Sequence, residues 1–138
     1  MNKVSLSTQV ERLKELYKTW KFKRMIIDTT GVGGGVTDPL VDLRLPIEPY
    51  TFTTKTRQDA FFTLKRLVEG ESILLPQNKF LRKQMLELKR EEQEGTGLTK
   101  ITHPAKGGDD YPTALALATS GLRKPRVEIS FAIAQGLV

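Results

Sequence analysis

Arg24 to Gly35 read RMIIDTTGVGGG, an apolar run that ends on one aspartate and breaks at once into glycines. A short continuous apolar run of this kind predicts a strand covered on both faces, as in a sheet flanked by helices. Asp28 stands at its C-terminal end. A buried strand fixes a carboxylate in place, and the glycines beyond it let backbone or a ligand approach closely. The loop GVGGGVTD lacks the Gly-Lys-Ser/Thr ending of a phosphate-binding loop, and its glycines do not follow the dinucleotide spacing, so nucleotide binding is not expected.

The rest of the chain alternates helical and extended signals. Thr8 and Glu11 form a capping-box pattern ahead of a helix with Val10, Leu13, Leu16, Tyr17 and Trp20 on one face. YTFTTKT, Tyr50 to Thr56, reads as a second strand. A second helix follows, capped by Thr56 with Asp59, striped by Phe61, Leu64, Leu67 and Val68, and stopped at Gly70. Ser72 to Leu75 reads as a brief strand closed by Pro76, and Asn78 to Glu94 as a third helix with Leu81, Met85 and Leu88 inward. Leu98 to Thr102 is a further short strand. Asp109, Asp110 and Pro112 open an alanine- and leucine-rich helix that ends near Gly121. The tail from Pro125 to Val138 alternates like a strand; its pattern suits covering an edge, pairing with a partner or staying flexible. No repeat or long linker divides the chain, so residues 1–138 are expected to form a single domain.

Composition narrows the chemistry. With 138 residues, 38% of them hydrophobic, the chain is long enough for a sizeable core. Its 22 basic against 16 acidic residues give a formal charge of +6, which suits a polyanionic partner. It has no cysteine, which excludes disulfides, zinc ribbons and thiol nucleophiles; a metal must be held by oxygen or by the single histidine, His103. No apolar run approaches the roughly 20 residues of a membrane span, and no secretory leader is evident, so a cytoplasmic protein is expected.

The informative constellation is Asp28 at a strand end with Asp109 and Asp110 at a helix start. Carboxylate oxygens suit Mg²⁺ or Mn²⁺, and two such ions about 4 Å apart activate water and stabilise the leaving oxygen in phosphodiester cleavage. Each acid also has a plain structural reading: Asp28 bonding to the turn that follows it, Asp109 capping its helix.

Taken in order, IIDTTGVGGGVTDPL, then YTFTTKT through ILLP to KRE, then THPAKGGDDYPTALALA resemble the C-terminal nuclease domain of the large terminase subunit of tailed bacteriophages. The resemblance runs from about Thr8 to Leu122, leaving residues 123–138 as a tail. It implies an RNase H-like α/β fold, a mixed sheet flanked by helices, and a two-metal endonuclease that cuts concatemeric viral DNA during packaging in the host cell. Carried over by motif, Asp28 and Asp110 are the catalytic metal ligands, Asp109 is a neighbouring carboxylate, and the cofactor is Mg²⁺ or Mn²⁺. His103 stands farther from the aspartate pair than the histidine of some members and is expected to be an ordinary surface residue. Lys100 and Lys106 flank the acids and are candidates to contact DNA phosphates, or are simply solvated.

Family members begin with a strand carrying a first catalytic aspartate and two further strands, which residues 1–7 do not supply. The expectation is therefore a domain lacking its first strands, inactive alone, that associates with a companion chain or with itself. Double-stranded DNA, portal and small terminase subunit are the partners the resemblance implies. The competing expectation is an inactive DNA-binding or assembly module; a junction resolvase would need the same missing acid.

Overall fold

The structure, a computed structural model, describes residues 5–30 and 44–122. The glycine cluster after Thr30 and the alternating tail lie outside the described residues. The chain is mixed α/β, with α1 (Leu6–Trp20), β1 (Met25–Asp28), β2 (Ile47–Tyr50), α2 (Thr54–Glu69), α3 (Lys79–Glu87), β3 (Lys89–Glu92), β4 (Thr99–Thr102) and α4 (Asp110–Ser120). The described strands form two small sheets, β1–β2 parallel and β3–β4 antiparallel.

The core lies where α2, α4 and β4 meet. Ala60, Phe61 and Leu64 of α2, Ile101 of β4 and Ala116 of α4 are buried together, and Met85, Leu88 and Leu115 pack against them. α4 touches α2, α3 and β1. A helix surrounded on several sides must be apolar around most of its circumference, which the Ala-Leu-Ala-Leu-Ala run provides. Ala60 and Ala116 lack bulk beyond Cβ and let α2 and α4 approach closely.

β1 begins beside the C-terminal end of α4. A Cβ on Gly121 would stand 1.6 Å from Nη1 of Arg24, so a larger residue there would have to push the flexible end of Arg24 aside. Arg24 also donates through Nε and Nη2 to both carboxylate oxygens of Glu48, at 2.7 and 2.6 Å, tying β1 to β2. That pair holds the Glu48 carboxyl below its ordinary range and raises the Arg24 guanidinium. The amides of Met25 and Thr29 donate to the carbonyls of Pro46 and Tyr50. In a parallel ladder this alternation turns Pro49 outward, so the residue without an N–H sits on the outer edge of β2 and blocks it. The opposite edge of β1 has no strand partner among the described residues.

Several expected elements are corrected. The second strand is Ile47–Tyr50 rather than Tyr50–Thr56, because Thr53 and Thr56 bond each other's backbone in a capping box and start α2 three residues earlier than the expected Thr56 cap. α1 is capped by Ser5, whose hydroxyl accepts from the Thr8 amide, and not by Thr8. Its apolar residues from Val10 to Tyr17 are only half-buried and Trp20 is exposed. Ser72 to Leu75 is not a strand, and Leu74 is 98% exposed. The helix expected over Asn78–Glu94 stops at Glu87; Asn78 caps it, and Lys89–Glu92 pair instead with β4 through a hairpin whose Gly95 and Gly97 have φ of 75° and 64°.

Candidate metal-binding site

Strand alternation puts Arg24, Ile26 and Asp28 on one face of β1. Arg24 and Ile26 border a recess with Ala60 and Thr63 of α2 and Ser120 of α4, so this is the face turned toward the two helices. Asp28, at the far end of the strand, is exposed, and its Oδ1 accepts from the Thr30 amide at 2.8 Å. The plain turn reading of Asp28 is thus realised, but it occupies only one carboxylate oxygen.

The same turn is linked to the start of α4 through two residues. The Thr30 hydroxyl accepts from the Phe52 amide at 2.8 Å. The Phe52 ring lies 5.3 Å from the guanidinium of Arg57, which also lies 4.8 Å from the Phe61 ring. Arg57 donates through Nε to the Ile101 carbonyl at 3.1 Å and through Nη2 to Oδ2 of Asp109. The end of β1 and the beginning of α4 therefore sit at the same end of the molecule, bridged by an arginine held between aromatic rings. Arg57 was not read from the sequence as a site residue.

The two adjacent aspartates differ in environment. Asp109 occupies the N-cap position, yet its side chain makes no capping bond. Its carboxylate is about one-fifth exposed and is committed to Arg57, with Nε2 of His103 at 3.9 Å from its other oxygen. The cap expected of Asp109 is supplied from α3 instead, where Oε1 of Gln84 accepts from the Tyr111 amide at 3.0 Å. Asp110 is exposed and makes no ion pair or side-chain hydrogen bond among the described residues.

The remaining sequence candidates fall around this end. His103, expected to be an ordinary surface residue, is partly exposed but stands next to Asp109, with Nδ1 2.9 Å from the Pro104 carbonyl. Lys106 is exposed in the turn closed by the Gly107 amide on Pro104, in the loop leading to Asp109. Lys100 is exposed on β4 across from Glu91.

Asp110 and the second oxygen of Asp28, neither of them engaged among the described residues, are hard donors of the kind Mg²⁺ and Mn²⁺ accept. Asp109 is already neutralised by a cation. Among the described residues no group of three or more His, Asp or Glu is placed to hold a metal ion. No helix among them is long and apolar enough to cross a membrane.

No protein-family model matches this sequence, and no curated protein does. Solved structures do. The large terminase nuclease from thermophilic phage G20c with bound cobalt is 24% identical, with a TM-score of 0.76 over 88% of this chain and 64% of that one. The same nuclease with bound magnesium gives the same values. The Thermus phage P74-26 large terminase nuclease domain is 22% identical, with a TM-score of 0.69 over 86% of this chain and 60% of that one. The chain thus spans less than two thirds of the length of these structures, and it shares their RNase H-like α/β fold.

Proposed function

We propose that this chain contributes part of a divalent-metal-dependent DNA endonuclease site of the terminase type, in which Asp28 and Asp110 hold Mg²⁺ or Mn²⁺. The observation that carries this reading is the carboxylate of Asp110, unengaged among the described residues, at the same molecular end as Asp28, in a fold shared with nucleases solved with cobalt and with magnesium. A divalent ion bound there supplies activation of a water molecule and stabilisation of the leaving oxygen. The protein's part is to fix the two carboxylates on a strand end and a helix start. Asp109 keeps Arg57 in place beside them and is a structural neighbour of the metal ligands. Lys106 and Lys100 face solvent and serve phosphate contacts, and the substrate is double-stranded DNA handled by packaging machinery.

A second reading is favoured by the edge of β1 that has no strand partner, and by the lack of a third donor, among the described residues. The pair of acids then becomes active only when a strand from another polypeptide, or another part of this one, is added at that edge with a further carboxylate. The test is Mn²⁺-dependent nicking of supercoiled plasmid by the chain alone and with an added polypeptide whose strand ends in aspartate. Nicking in either arm that Asp28→Asn and Asp110→Asn each abolish supports a nuclease. Nicking that survives both substitutions sinks the site, and none in either arm leaves a binding module.

A further inference from the structure

The N-cap residue of a helix ordinarily accepts a bond from the amide of the second or third helical residue. In α4 those residues are Tyr111 and Pro112. Pro112 has no N–H, so Tyr111 offers the one amide available to a capping side chain. Gln84 takes that amide with Oε1, while its Nε2 lies 3.3 Å from where a Cβ on Gly108 would stand. The Phe80 ring, one turn before Gln84, stacks on Tyr111 with centroids 6.1 Å apart and planes at 17°. α3 therefore grips the second residue of α4 through both backbone and ring. Asp109 makes no capping bond and turns to Arg57, and Asp110 has no side-chain partner among the described residues.

We propose that Gln84 is a positioning residue that sorts the two adjacent aspartates, releasing Asp109 to Arg57 and presenting Asp110 as the free metal ligand. Without Gln84, the Tyr111 amide becomes available to the Asp109 carboxylate, and rotating that carboxylate back toward the helix draws it off Arg57 and shifts the first turn that carries Asp110. The proposal rests on the reading of Asp110 as a metal ligand, so its test separates the two.

Binding of Mn²⁺ alone by the full chain is followed by electron paramagnetic resonance for the wild type, Asp110→Asn, Gln84→Met and Gln84→Glu. Hydrogen exchange of the Tyr111 amide is measured in parallel. Methionine keeps the bulk of glutamine without an acceptor; glutamate keeps the acceptor. Gln84→Met is expected to weaken Mn²⁺ binding by about tenfold, as loss of a ligand-orienting partner does, while Asp109 takes over the Tyr111 amide and keeps its exchange slow. Gln84→Glu is expected to keep wild-type binding. If Asp110→Asn weakens binding while Gln84→Met leaves it unchanged, the sorting role is overturned and the metal reading stands. If Asp110→Asn leaves binding unchanged, or the wild type binds no Mn²⁺, both fall. Faster Tyr111 exchange in Gln84→Met means that Asp109 does not take the amide, and overturns the sorting role whatever the metal does.

Discussion

The α2–α4–β4 core and the β1–β2 sheet are built from equally apolar sequence but reach different ends. Ala60, Leu64 and Ala116 are 2%, 2% and 0% exposed. Met25, Ile26 and Ile27, an uninterrupted apolar run, are only half-buried. The core closes on itself because α2, α4 and β4 meet there and Met85 of α3, Leu88 and Phe52 pack against them. The sheet has one face on the helices, one edge blocked by Pro49 and one edge with no strand partner among the described residues, and parallel strands are ordinarily covered on both faces. Among the described residues the first region is closed and the second is not.

The largest effect that tests this contrast is truncation in each region. Leu64→Ala leaves a cavity in a closed core and is expected to cost about 2–5 kcal/mol in denaturant unfolding. Ile26→Ala removes a similar volume from a half-exposed position and is expected to cost about 1 kcal/mol, because half the transfer energy was never gained. If a polypeptide covers the open edge of β1, its addition should raise the cost of Ile26→Ala and leave that of Leu64→Ala unchanged. Equal costs in the chain alone would break the comparison.

Two ion pairs sharpen it at the next level. Arg57 and Asp109 are each about one-fifth exposed, whereas Arg24 and Glu48 are close to half-exposed. Arg57→Met strands a mostly buried carboxylate and removes the donor to the Ile101 carbonyl, so about 2–3 kcal/mol of stability should be lost. Adding Asp109→Asn should return part of that loss, since the uncompensated charge goes with it. Arg24→Met, the same chemistry at the surface, should cost clearly less, because solvent screens an exposed pair. A deficit at Arg57 no larger than at Arg24 would mean that the guanidinium between Phe52 and Phe61 is not a structural bridge.

How much of this was legible depends on whether the signal was local. β1 was readable because its apolar run and terminal acid are contiguous, and α4 because Asp-Asp, Pro112 and the Ala-Leu alternation all lie within it. The β3–β4 hairpin was missed because KREEQE is made of good helix formers, and its strand state is imposed by pairing with β4. Gly95 and Gly97 around Thr96 were the available sign of a turn. β2 was displaced because Pro46 and Pro49 hide a strand in IEPY, while the threonines that looked extended are a cap. Arg57 resembles any solvated charge in a first helical turn; its partner Asp109 lies 52 residues away, and only the fold brings them together. For the same reason, it was the family resemblance and no local signal that separated Asp109, committed to Arg57, from Asp110.

The smallest expected effect is the most diagnostic of where the sheet's order comes from. Arg24 holds the Glu48 carboxyl below its ordinary value of 4.5. A lowered folded value means that the pair stabilises the protein above the unfolded value and stops doing so as pH falls through the folded one. The gap in melting temperature between the wild type and Glu48→Gln should therefore be present at neutral pH, shrink below 4.5 and close under more acidic conditions. High salt should narrow it throughout, since the pair is exposed. The gap between the wild type and Leu64→Ala should not move over the same range, because no titrating group enters it. A Glu48 gap that ignores both pH and salt would mean that the β1–β2 register is set by packing, as in the core, and that the charged tie across the sheet is incidental.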